Sequence, residues 1–147
     1  MIGLAFVFLI YVFFVIFQDR TKSGAENTQT NQEPTILQWE TKTDEQPPII
    51  IKVTPVEFGK HFQTWKFRVV FDTHSGSLDD DLLRVVVLAD DNGNDYRPTA
   101  WEGAGAGGHH REGTLLFEAI NPIPLYVELK IKNVGGIAER SFKWYLK

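Results

Sequence analysis

The sequence predicts an all-β fold, an immunoglobulin-like antiparallel β-sandwich of about seven strands, preceded by one N-terminal transmembrane helix and a flexible linker. Three observations carry this. A hydrophobic period of two begins at Ile49 and recurs to Leu146. Turn signals separate the apolar runs about every 8–12 residues. No helical period follows Phe17. The chain divides into an anchor over residues 1–18, a polar linker over 19–47 and the sandwich domain over 48–147.

Residues 2–17 are uncharged and almost wholly aliphatic or aromatic, with Tyr11 the one polar exception. A bilayer core takes about 20 helical residues, with about 17 as the lower end, and Met1 to Phe17 reaches it. The run has no polar face, which separates it from a helix buried in a soluble core. A cleaved signal peptide is the alternative, with Ser23 and Ala25 placed as the small residues of a cleavage site. Asp19, Arg20 and Lys22 crowd that region, and the run is long for a signal sequence. No Lys or Arg precedes the run, and Arg20 and Lys22 follow it. Taken literally this places the domain in the cytoplasm, unless a basic segment lies upstream. A β-sandwich on a long polar stalk is associated with the outside of the cytoplasm. The expectation is therefore a single-pass membrane protein with an extracytoplasmic domain in the cell envelope.

The linker is rich in Thr, Gln, Asn, Glu and Lys, and buries too little to offset its ordering entropy. As a coil of about 30 residues it spans roughly 30 Å. Ile36, Leu37 and Trp39 interrupt it, as a short added strand or as packing on the domain's flank. Pro47-Pro48 marks the start of the folded part.

Ile49, Ile51 and Val53 alternate with Lys52 and Thr54, giving the first strand. Trp65, Phe67, Val69 and Phe71 alternate with Lys66 and Arg68, giving the second. Residues 82–88 are almost continuously apolar, as in a central strand covered on both faces. Asn92-Gly93 supplies a hairpin turn, and residues 96–101 return. Residues 114–119 form the next strand, and Leu125, Val127, Leu129 and Ile131 another. Gly135-Gly136 turns the chain into Phe142, Trp144 and Leu146.

The stretches Trp39-Glu40-Thr41-Lys42-Thr43, Phe71-Asp72-Thr73-His74-Ser75, Gly107-Gly108-His109-His110-Arg111-Glu112-Gly113 and Val134-Gly135-Gly136 resemble a family of small prokaryotic Ig-like β-domains. Those domains are preceded by a signal or anchor. The likeness covers about residues 36–147 and rests on the Thr-His-Ser and Gly-Gly-His-His-Arg-Glu-Gly motifs. It implies an exported β-domain and carries over no activity.

The candidate site lies in the histidine-bearing loops. His74 follows the second strand, and His109 and His110 precede the fifth. In a sandwich these ends meet at one pole. Imidazole suits Cu(II), Zn(II) or Ni(II), and Asp72 or Asp79 offers an oxygen ligand. Neighbours on an extended chain point to opposite sides, so one of His109 and His110 would join His74. The other reading is that these histidines order loops by bonding backbone groups. His61 stands apart from them.

Gly103-Ala104-Gly105-Ala106-Gly107-Gly108 contains the letters of a phosphate-binding loop. That use needs a helix after the glycines, and a strand pattern follows instead. The glycines then serve tight backbone approach or a mobile loop. Asp79, Asp80, Asp81, Asp90 and Asp91 lack the spacing of an EF-hand loop, and read as turn and cap residues. There is no zinc-protease helix motif, nucleophile elbow or phosphate-loop lysine, so no catalytic residue is assigned. There are no cysteines, and the formal net charge of −4 gives no basic footprint for nucleic acid. Trp101, beside the glycine-rich loop, is the aromatic most suited to an exposed role. The expectation is a non-enzymatic binding or structural module, with a protein or envelope component as partner. An extracytoplasmic copper or zinc protein using His74, His109, His110 and Asp72 is the alternative.

Overall fold

An alternating strand has one apolar face to hide, and here two antiparallel sheets hide theirs against each other. The computed structural model describes residues 38–146. One sheet has five strands in the order β1-β2-β3-β7-β6 and the other has four in the order β5-β4-β8-β9. The strands are β1 (Lys42–Asp44), β2 (Ile49–Glu57), β3 (Thr64–Thr73), β4 (Val86–Asp90), β5 (Asp95–Tyr96), β6 (Ala100–Gly103), β7 (His110–Glu118), β8 (Tyr126–Val134) and β9 (Ile137–Tyr145). Every pairing is antiparallel. The fold is all-β and built as a sandwich. The N-terminal segment read as a transmembrane helix lies outside the described residues.

The inward residues are those the alternation selects. Ile51, Val53, Phe67, Val69, Leu115, Phe117, Val127, Leu129 and Ile131 are fully buried. Aromatic rings fill one end of this core. Phe58 meets Trp65 at 4.9 Å and Trp39 at 4.7 Å between ring centroids, both edge to face. Phe67 meets Phe117 at 5.7 Å, also edge to face. Such pairs add to the burial they provide. Trp39 thus packs on the domain's flank, outside any strand.

Four local outcomes differ from the sequence pattern. Residues 82–88 do not form one strand. A short helix, α1 (Leu82–Val85), comes first and β4 follows it. The Asp81 side chain accepts from the Leu83 amide at 3.1 Å, and its carbonyl accepts from Arg84 and Val85. An N-cap therefore overrides a run that hydrophobicity alone reads as extended. Residues 96–101 do not stay with β4 either. β5 ends at Tyr96, the imide of Pro98 has no N–H to give, and β6 crosses to pair with β7.

The third difference is β1, which lies within the stretch read as linker. It pairs with β2 from Lys42↔Val53 to Asp44↔Ile51. The fourth is Leu125, which shares the inward parity of Val127 yet precedes β8 and is exposed. The strand begins one residue later, although the Leu125 carbonyl still accepts from the Leu146 amide at 2.9 Å.

Arg140 explains how β1 is held. Its side chain points inward from β9 and is fully buried. It donates to the Asp44 carboxylate, to the Ile49 carbonyl at 3.0 Å and to the Gln46 carbonyl at 2.9 Å. One guanidinium thereby ties the β1–β2 turn to the opposite sheet. Gly135, at φ +63°, leaves the space beside it. A Cβ there would meet Ile49 Cδ1 at 2.9 Å.

Candidate functional site

The sandwich has two poles of opposite character. The histidine pole carries the loops after β3 and before β7. Asp72 and His110 are directly opposed in the β3–β7 ladder. His110 Nδ1 lies 2.6 Å from Asp72 Oδ1, and its Nε2 lies 3.6 Å from Glu112 Oε2. Arg68 Nε donates to Glu112 at 2.7 Å. The hydrogen bond to Asp72 raises the His110 pKa above its ordinary value, partial burial opposes this, and Glu112 adds to the rise. These groups form a row of alternating charge on the outer face of the five-stranded sheet.

The pole brings His110 and Asp72 together. His110 sits inside β7, which starts earlier than the sequence pattern indicates. His109 takes part through its backbone, its carbonyl accepting from the Thr73 amide at 2.9 Å. His74 and His109 are both exposed. Among the described residues no group of three or more His, Asp or Glu is placed to hold a metal ion.

The loops at this pole are ordered by Arg111, the residue after the histidine pair. It has the inward parity of Gly113, Leu115 and Phe117, and it is buried. Its guanidinium donates to the carbonyls of Asp80 at 2.7 Å, Leu78 at 3.2 Å and Ala104 at 3.2 Å. It lies 5.4 Å from the Trp101 ring centroid, and the Trp101 indole N–H donates to the Ala104 carbonyl at 2.8 Å. The backbones also interlock: Leu78 N–H to Gly108 at 3.1 Å and Gly107 N–H to Leu78 at 3.0 Å.

Close approach explains Gly103 of the glycine-rich loop, and positive φ, +114° and +74°, explains Gly107 and Gly108. Gly103 and Gly113 are paired across β6 and β7. A Cβ on Gly113 would fall 2.6 Å from the Gly103 Cα and 2.7 Å from the Trp101 ring. The signal for Arg111 was present in the sequence, as a charged residue at an inward position among glycines. The space enclosed by Phe71, Leu78, Leu82 and Arg111 is only about 10 Å³, no more than a single water needs.

Among the described residues the aromatic pole is open. A groove of about 400 Å³ is lined by Trp39, Phe58, Gly59, Lys60, His61, Ile123, Tyr145 and Leu146. A second, of about 380 Å³, shares Trp39 and Tyr145 with it. The surroundings are apolar and exposed: Leu125 by 72%, Tyr145 by 64%, Ile123 by 43% and Phe62 by 38%. Gly59, at φ +104°, shapes the floor, with Leu146 and Trp39 atoms 3.9 Å from where its Cβ would lie. Its carbonyl accepts from the Trp65 indole at 3.1 Å. The Leu146 amide donates to Leu125 at 2.9 Å, and the Trp144 indole donates to Glu40 at 2.8 Å. The start of the described chain and the end of β9 therefore meet here.

No sequence motif marks this groove, because its walls come from four separate stretches of chain. His61 enters as a lining residue. Compared with known proteins, the chain matches no protein-family model, and no curated protein or solved structure is similar to it.

Proposed function

We propose that the chain is a membrane-anchored, extracytoplasmic immunoglobulin-like module whose role is binding, exercised at the aromatic pole. The observation that carries the binding role is the contrast between the poles. One is closed by Arg111 and interlocked loops, and the other leaves a groove of about 400 Å³ ringed by exposed apolar side chains. A preformed apolar concavity of that size suits a ligand or a partner's anchor residue.

The strand order supports the immunoglobulin-like type. β2-β3-β7-β6 faces β4-β8-β9, the arrangement of an A-B-E-D sheet against a C-F-G sheet. β1 and β5 are additions at the edges. The resemblance to anchored prokaryotic β-domains and the apolar run at residues 2–17 support export and anchoring.

Two measurements test this reading. In membrane fractionation the full chain stays with the bilayer after alkaline extraction. A C-terminal phosphatase reporter that is active only outside the cytoplasm is active. Release of the chain by alkali removes the anchor, and a silent reporter removes the extracytoplasmic assignment.

A further inference from the structure

We propose that the aromatic pole docks on the bilayer surface, with its apolar side chains at the interface between acyl chains and anionic headgroups. This rests on the anchored reading above. Three observations carry it.

The exposed residues Phe62, Ile123, Leu125 and Tyr145 come from three loops or strand ends and gather at one pole. Mixed aliphatic and aromatic side chains beside a polar rim are the composition that settles at a membrane interface.

The groove itself is lined by a cationic side chain although the whole chain is acidic. Lys60 and His61 line the groove, and among the described residues its lining includes no carboxylate. Lys143 Nζ stands 4.2 Å over the Tyr126 ring at the same end. Asp91 and Glu40 also reach this pole, where Asp91 accepts from the Leu125 amide at 3.3 Å and Glu40, in the adjoining groove, is paired with Lys42 at 3.0 Å. The consecutive Asp79, Asp80 and Asp81 lie at the opposite pole, so an anionic surface attracts the groove's lysine and repels the far end.

The chain also leads from this pole toward the apolar run. Trp39 lines the groove, and residues 18–38 lie between it and Phe17. A stretch of that length spans at most about 70 Å even when fully extended. Anchoring through residues 2–17 then makes contact with the bilayer an intramolecular event at high effective concentration. That proximity favours the bilayer over a diffusing protein as occupant.

The chain has no cysteine, so Leu125→Cys and His74→Cys each give one attachment point for an environment-sensitive fluorophore. The full chain is reconstituted in vesicles of phosphatidylcholine and phosphatidylglycerol. Brominated acyl chains should quench and blue-shift the label at 125 and leave the label at 74 unchanged. Adding Ile123→Glu and Tyr145→Glu should abolish the quenching at 125, with far-UV circular dichroism confirming the fold. Omitting phosphatidylglycerol should weaken it. Alkaline extraction of the same vesicles reads anchoring separately. An anchored chain with both labels in water overturns docking and leaves anchoring intact. A shielded label at 125 that bromine does not quench means a protein surface covers the pole, and also overturns it. Release by alkali overturns both.

Discussion

Arg140 on β9 and Asp44 on β1 form an ion pair across the sandwich, with the guanidinium fully buried and the carboxylate mostly so. The guanidinium's Nη1 and Nη2 also reach two backbone carbonyls of the β1–β2 turn, while among the described residues its buried Nε meets no acceptor. Removing one partner of a buried pair leaves the other charge without water or counter-charge. Arg140→Ala should therefore lower stability by about 3–5 kcal/mol, measured by urea denaturation.

The same pair shapes the acid limb. Burial pushes the Asp44 carboxyl up, but the hydrogen bonds from Gln46 and the Arg140 charge outweigh it and hold the pKa below 3.8. A depressed carboxylate contributes stability in full above its unfolded value. That contribution is lost as pH falls through the folded value. Asp44→Asn should flatten the decline in stability below about pH 4.

Arg111 and the glycine pair set the order of the histidine pole. Arg111→Ala removes three charge-assisted hydrogen bonds and the contact over Trp101. The expected loss is about 2–4 kcal/mol, with faster hydrogen exchange at Leu78 and Gly107. Gly113→Ala should cost about 1–3 kcal/mol through overpacking. Gly105→Ala should change little, since no atom lies within 4 Å of its added Cβ.

His110 titrates above its ordinary value of 6.5 because Asp72 bonds its ring. A raised histidine contributes stability in full below the unfolded value, and the contribution fades as pH rises through the folded one. NMR titration should find the pKa elevated. Asp72→Asn should bring it down, and Glu112→Gln should do so to a smaller extent.

Calorimetry with Cu(II) and Zn(II) separates binding at the aromatic pole from metal binding at the other. The module proposed above gives heats that do not distinguish wild type from His74→Ala or His109→Ala. Stoichiometric binding lost in both variants would make the chain a metal protein instead.

The long strands were legible because their inward residues are apolar and their outward ones are charged, as in Val127, Leu129 and Ile131 against Glu128, Lys130 and Lys132. Hydrophobic alternation does not by itself mark a charged residue as inward, so Arg111 and Arg140 betray themselves only once the parity of Leu115 and Phe117, and of Phe142 and Trp144, is followed back to them. β1 reads as linker because Lys42, Thr43 and Asp44 gain their place from a ladder and a distant guanidinium. α1 is hidden because its cap, Asp81, is one of three aspartates that also suit a turn. The histidines stand out by chemistry, and Asp72 with His110 does meet in space. The groove stays invisible because adjacency of Trp39, Lys60, Ile123 and Tyr145 is a property of topology.

The bond from the Trp144 indole to the Glu40 carbonyl joins residues 104 apart in sequence, and the Arg140–Asp44 pair joins residues 96 apart. Closing loops of that size is entropically slow, and folds dominated by such contacts form in milliseconds to seconds. During synthesis the first strand must wait for the last. The domain therefore stays unlocked until β9 is in place, so its stability arrives in one late step.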